Sequence, residues 1–243
     1  MTTTEPTIVL VHGAFADSSS WSGVIELLQQ QGYVVVAPAN PLRGLAADSA
    51  YLASVLAQID GPVLLAGHSY GGAVITDAAT RSGNVIGLVY VAAFSPDTDE
   101  LLGDVTARST DAILSTALVQ RTYPVGTAGE TAPESFVDAA RFHEVFAADL
   151  PAEQAAVMAA TQRPVAAAAF TDPCGPPAWK SLPSWAVVAT ADKAAGTDIV
   201  RSMAERAGAE IVELDGSHVI MVSQPRAVSD VIVTAARASA DRS

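Results

Sequence analysis

Short apolar runs alternate with helix-period stripes along most of this chain, and that alternation constrains its fold more than any other feature. Thr7–Val11 (TIVLV) reads as a buried strand. Trp21, Val24, Ile25 and Leu28 follow at i, i+3, i+4 and i+7, the stripe of an amphipathic helix, and Gly32 closes it. Residues 33–38 (YVVVAP) form a second strand. Leu52, Val55, Leu56 and Ile59 give the next helical stripe, which ends at Gly61-Pro62. Residues 63–66 are a third strand, 71–82 a helix and 86–92 (IGLVYVA) a fourth strand. Strands alternating with helices predict a parallel sheet covered on both faces.

The pattern then breaks. Residues 95–182 contain no convincing strand, only Ala-rich helical pieces such as 133–150 and 151–162 with Pro and Gly between them. Alternation resumes with a strand at 185–190, a helical stripe on Val200, Met203, Ala204 and Ala207, a sixth strand at 209–214 and a last helix through Val228, Val231, Ile232 and Ala235. So long a stretch without strands exceeds an ordinary loop. The reading is therefore an α/β fold with a six-stranded, mainly parallel sheet and a helical cap inserted between strands four and five. Residues 1–94 and 183–243 form the core and 95–182 the cap, within one domain.

Composition removes several function classes. The chain has 243 residues and a net charge of −13. Its 2 Lys and 11 Arg form no cluster, so no basic surface exists for nucleic acid or an anionic membrane. No stretch reaches the ~20 apolar residues of a membrane helix. The start, Met1 to Pro6, lacks the positive and apolar regions of a secretory leader. One cysteine, Cys174, excludes an internal disulfide and a Cys-rich metal site. These features predict a cytoplasmic protein that is a monomer or homodimer. Residues 95–182 hold 12 acids and 5 bases against 14 and 8 in the rest. The cap is thus about twice as densely acidic, which would disfavour anionic substrates.

Gly67-His68-Ser69-Tyr70-Gly71 lies between a strand and a helix. A sharp strand-to-helix turn lifts the central serine clear of the sheet, and the Tyr70 N–H stands at a helix N-terminus, where negative charge is favoured. A serine hydroxyl needs a base. His218, just past the sixth strand, emerges at the same sheet edge as Ser69; His12, His68 and His143 fit that role less well. The base needs an orienting carboxylate, and Asp192, at the end of the fifth strand, can accept the imidazole Nδ1–H. Asp97, Asp99, Asp198 and Asp215 are its competitors. Ala14, in Val11-His12-Gly13-Ala14-Phe15 after the first strand, offers a second backbone donor beside Tyr70 for an oxyanion. No histidine pair or cysteine set has metal-ligand spacing, so neither metal nor cofactor is expected.

Together, HGAF after strand one, GHSYGG after strand three, Asp192 after strand five and His218 after strand six resemble the α/β-hydrolase superfamily, which uses the chain order Ser, Asp, His. The likeness runs from Thr7 to about Ala236. It is nearest the small capped branch of esterases and hydroxynitrile lyases, whose bacterial members share stretches such as HGAFADSSSW, YVAAFSPD, MAERAGAE and SHVIMVSQP. The resemblance implies that Ser69 is the nucleophile, His218 the general base and acid, Asp192 the orienting acid, and Ala14 and Tyr70 the oxyanion donors. It implies a cap that roofs the pocket, with Phe15, Tyr70, Phe94, Phe142, Phe146, Phe170, Trp179 and Val219 as candidate lining. Plant hydroxynitrile lyases of this type carry Thr where this chain has Gly13, and Lys where it has Val219. Both departures favour hydrolysis of a small, mostly apolar ester. The alternative is a lyase, or another non-hydrolytic enzyme, using the same residues.

Overall fold

The computed structural model describes residues 5–126 and 128–242; Met1–Thr4, most of the stretch behind the leader reading, lie outside it. In chain order the elements are β1 (Thr7–Val11), α1 (Ser22–Gln30), β2 (Val35–Val36), α2 (Leu45–Leu56), β3 (Val63–His68), α3 (Tyr70–Ala78) and β4 (Val85–Val91). After these come α4 (Leu102–Ala107), β5 (Leu118–Val125), β6 (Glu130–Val137), α5 (Phe142–Phe146), α6 (Ala152–Thr161), β7 (Val165–Ala166) and α7 (Ala168–Thr171). The chain closes with β8 (Ser184–Ala189), α8 (Thr197–Arg206), β9 (Glu210–Leu214), α9 (Ile220–Ser223) and α10 (Pro225–Ala240).

Six strands form one sheet in the order β2-β1-β3-β4-β8-β9, and every pairing in it is parallel. All six residues of β3 and all six of β8 are buried. That is the pattern of strands covered on both faces, and it explains their continuous apolar runs. Helix α10 packs on β3, β4, β8 and α1, whereas α3 packs on β1, β3, β4 and α2, so two helical layers enclose the sheet. The strand order steps from β1 to β3 to β4, which brings the carboxyl ends of β1, β3, β8 and β9 toward one edge. Ligands bind at such an edge in open α/β sheets.

The segment between β4 and β8 departs from the expected all-helical cap. It contains a second, three-stranded sheet in the order β5-β6-β7. Strands β5 and β6 pair antiparallel from Leu118↔Val137 to Val125↔Glu130, and Glu134 and Ser135 pair with Ala166 and Val165. The helix expected over 133–150 is thus a strand as far as Val137, and only Phe142–Phe146 is helical. The expected helix over 151–162 is present as α6. The reason is physical. No residue of β5 is buried, so the hairpin needs no continuous apolar run. Pro124 and Pro133, which read as strand breakers, are accommodated: Pro124 is in the edge strand, and Pro133 lies outside the two-residue register with β7.

This insertion is tied to the core at several points. The Ala166 N–H donates to the Leu42 carbonyl at 2.9 Å, and the Ile113 N–H to the Lys193 carbonyl at 2.8 Å. Arg43 pairs with Glu134 at 2.8 Å while stacking on Tyr123. Asp198 accepts from Ser109 Oγ and the Thr110 N–H. Where the segment leaves and rejoins the sheet, the Asp99 N–H donates to the Cys174 carbonyl and Trp179 Nε1–H to the Pro96 carbonyl.

Candidate active site

Ser69 sits between β3 and α3 with φ +53° and ψ −124°. A side chain is rarely held in that region without a structural reason. The turn is this sharp because the chain passes from strand to helix without a loop. It works only because neighbouring backbone can come close. A Cβ on Gly71 would lie 2.5 Å from the Val11 carbonyl oxygen and 2.9 Å from that of His12. Gly13 plays the matching role from the β1 side, where a Cβ would lie 2.7 Å from Ser69 Cβ.

Asp192 and His218, 26 positions apart, meet because β8 and β9 are neighbours whose loops leave the same edge. His218 Nδ1–H donates to Asp192 Oδ2 at 2.8 Å, with both side chains 1% exposed. The other carboxylate oxygen accepts the N–H groups of Ala194 at 2.8 Å and Ala195 at 3.0 Å. Three donors therefore fix the carboxylate. The Asp192–His218 bond sets the imidazole tautomer, leaving Nε2 unprotonated and available as a base. The His218 backbone is held as well: its carbonyl accepts from His68 Nε2–H at 3.0 Å, and Ser217 Oγ donates to Asp149. The Phe146 ring packs edge-on to His218 at 4.9 Å between centroids.

Ser69 and His218 line one narrow cavity of about 30 Å³, together with Ala14, Phe15, Phe94, Thr106, Leu114, Phe146, Phe170, Ala194 and Ala195. Ser69 Oγ makes no hydrogen bond with His218 among the described residues; such contacts are often loose before substrate binds. The Ala14 N–H makes no hydrogen bond among the described residues. The Tyr70 N–H is the first of α3, a position with no intrahelical acceptor. Both flank Ser69.

The remaining histidines are held in structural bonds. His12 Nδ1–H donates to the Gly13 carbonyl at 2.9 Å, and Nε2 accepts the Asn40 N–H at 3.0 Å. Burial pushes its pKa down to about 4. His68 is fully buried, and burial holds its pKa well below the ordinary value. His143 Nε2–H donates to the Leu150 carbonyl at 2.9 Å. Among the competing carboxylates, Asp97 pairs with Lys180 at 2.5 Å, Asp215 accepts from Thr190 Oγ1, and Asp198 holds the insertion. None of them contacts His218.

Of the expected lining, Phe15, Phe94, Phe146 and Phe170 face the cavity. Phe142, Trp179, Val219 and the Tyr70 ring do not. Phe142 backs Phe146 at 4.9 Å. Trp179 bonds Pro96 and lies under Lys180 and Arg206. Val219 is fully buried, and the Tyr70 hydroxyl donates to Asp48 Oδ2 at 2.7 Å. Thr106, Leu114, Ala194 and Ala195 were missed. Ala194 and Ala195 were findable as the loop beside Asp192; nothing in the sequence marks Thr106 or Leu114. The buried Asp48 was missed too, although burial raises its pKa and it anchors the residue after Ser69. Among the described residues no group of His, Cys, Asp or Glu is arranged to hold a metal ion, and no helix is long and apolar enough to cross a membrane.

Comparison with known proteins gives one family. The family model described as the alpha/beta hydrolase family matches residues 8–231. A pyrethroid hydrolase of Sphingobium wenxiniae is 32% identical over 173 residues, 63% of this chain and 58% of that protein. The match thus spans less than two thirds of that relative's length. Among solved structures, polyneuridine aldehyde esterase superposes with a TM-score of 0.80 at 20% identity, over 95% of this chain and 99% of that one. A pyrethroid hydrolase of Sphingobium faniae gives 0.75 at 23% identity, over 98% and 100%. At those identities the structural matches speak for the fold.

Proposed function

This chain belongs to the alpha/beta hydrolase family, and from that premise we propose that it is a cofactor-independent serine carboxylic-ester hydrolase for a small, mostly apolar ester. The observation that carries this reading is the buried 2.8 Å bond from His218 Nδ1 to Asp192, made by a histidine whose other nitrogen shares a cavity with a serine on a left-handed turn.

In the proposed reaction Ser69 Oγ attacks the ester carbonyl carbon as His218 Nε2 takes the hydroxyl proton. Asp192 stabilises the imidazolium that forms. The negative charge on the former carbonyl oxygen is received by the Ala14 and Tyr70 N–H groups, which need no reorganisation because the Gly13 and Ser69 turns already fix them. The tetrahedral intermediate collapses, the C–O bond to the alcohol breaks, and His218 protonates the departing oxygen. Water then attacks the acyl-enzyme by the same proton path and releases the acid. The insertion contributes Thr106, Leu114, Phe146 and Phe170 to the walls, and we read it as the lid that sets substrate size.

Gly13 supports hydrolysis over the lyase alternative. A threonine there, as in the plant lyases, would place its Cβ against Ser69 Cβ, so the turn would have to open. Val219 points the same way: it is fully buried and leaves no cation beside His218. The test is hydrolysis of p-nitrophenyl butyrate by wild type and Ser69→Ala. The variant is expected to lose at least about 10³-fold in kcat while keeping its fold, as nucleophile removals do. Equal rates, or cyanide release from a cyanohydrin without esterase activity, would rule the mechanism out.

A further inference from the structure

The cavity at Ser69 is about 30 Å³, far below the roughly 300–1,000 Å³ of pockets that hold small organic ligands. An ester carbonyl with both its substituents cannot enter unless a wall moves. Of the cavity's lining residues, Phe15 alone also lines a larger surface groove of about 200 Å³, where Val157, Met158 and Val222 stand among neutral polar side chains such as Gln154 and Thr161, with Asp17 as its one charged residue. We propose that Phe15 is a gate, and that the groove behind it is the subsite for the distal part of an elongated, uncharged acyl chain. This rests on the serine-esterase reading above and adds its substrate class.

Three observations carry the assignment. Phe15 directly follows Ala14, so a carbonyl oxygen held by the Ala14 N–H lies beside this ring, whereas the departing alcohol must lie toward His218. Its backbone is left-handed at φ +58°, a costly state for an aromatic residue and one retained mainly at functional sites. The other aromatic wall is braced, since Phe146 packs between Phe142 and His218 with both centroids at 4.9 Å. Phe15 is buried at 1% exposure, makes an edge contact to Phe146 at 6.2 Å and also borders the groove. The groove matches an uncharged chain: Val157 is 63% exposed there, no Lys or Arg lines it, and Asp17 would repel a terminal carboxylate.

The experiment compares kcat/KM for p-nitrophenyl octanoate and acetate in wild type, Phe15→Ala, Val157→Asp and Val212→Asp, with Ser69→Ala as background. Val212 is equally an exposed apolar residue but lies on β9 outside both sites. Moving a methylene from water to an apolar surface is worth about fourfold in affinity. Phe15→Ala is expected to raise the octanoate-to-acetate ratio about fifteenfold, the worth of roughly two methylenes. Val157→Asp is expected to lower the ratio by a similar factor, and Val212→Asp to leave it in place. Should Phe15→Ala fail to fold, Val157→Asp decides. A ratio that Val157→Asp leaves unchanged, or that Val212→Asp shifts as much, overturns the groove assignment while the esterase stands. Wild type no faster than Ser69→Ala on either ester overturns both.

Discussion

The parallel sheet and the β5-β6-β7 sheet are built from different kinds of sequence. Strand β3, VLLAGH, is buried at every residue; strand β5, LVQRTYPV, is buried at none. Strand β3 is held by apolar area removed from water on both faces, and β5 by backbone pairing to β6 and by contacts such as Arg43 with Glu134 and Tyr123. The catalytic candidates Ser69, Asp192 and His218 stand at the edge of the parallel sheet, and Leu114, Phe146 and Phe170, which close the cavity, on short helical turns of the same insertion that carries the small sheet. The sheet edge fixes the reacting groups, while the insertion that shapes the substrate space buries Leu102, Val105, Phe142 and Phe146 in the common core but no residue of its hairpin strand β5.

Paired glycine substitutions probe this contrast most severely. Gly71→Ala forces a Cβ to within 2.5 Å of the Val11 carbonyl oxygen. A well-packed site that must shift backbone loses about 1–3 kcal/mol, read as a lower urea midpoint together with lost esterase activity. Gly103→Ala, in α4 of the insertion, brings a Cβ no nearer than 3.2 Å to the Phe170 carbonyl oxygen. There the helix-propensity gain of up to about 1 kcal/mol offsets the contact, and stability should hold or rise slightly. Equal losses at the two sites would erase the distinction.

Acid offers a comparable probe of the core. His12 is neutral in the folded chain, with its pKa held at about 4 by burial, whereas an unfolded histidine titrates near 6.5. Between those values the unfolded state binds more protons, so stability falls as pH drops from about 6.5 to 4 and is regained on raising it. One such group is worth roughly 3 kcal/mol across that window. His12→Gln should flatten the slope of unfolding free energy against pH in that range, and an unchanged slope would place the acid sensitivity elsewhere. The smallest expected effect is in the insertion. Arg43→Ala removes a half-exposed ion pair and should cost about 1 kcal/mol, with a larger change in substrate-size preference than in melting temperature.

The sequence revealed one kind of structure and hid the other. Every strand of the large sheet was expected from the sequence, although the second, expected over 33–38, is only Val35–Val36, the sixth carries two glutamates and no buried residue, and β3 extends two residues past Ala66, through Gly67 and the buried His68. Helix α6 was visible because Pro151 caps a clear run of helix formers. The hairpin was invisible because half-exposed antiparallel strands tolerate polar residues, and ETAPESFV carries a buried glutamate whose partner, Arg43, lies 91 positions away. The same division runs through the site. Ser69, Asp192 and His218 follow predicted strands closely, so strand order alone brings them to one edge. Phe142 and Trp179, aromatic residues of the insertion, and Val219, next to His218, lie outside the cavity lining.

By itself the sequence determined the parallel sheet, the strand-to-helix turn at Ser69 and the shared edge of three chemically competent residues, because short-range hydrophobic period and short loops decide these. Only the tertiary structure decided which side of each insertion element faces Ser69, that His68 braces the His218 backbone, that Asp48 anchors Tyr70, and that Phe15 stands between the small Ser69 cavity and a surface groove. Those depend on contacts between residues far apart in the chain, where burial and packing choose the partner and local sequence carries no trace of it.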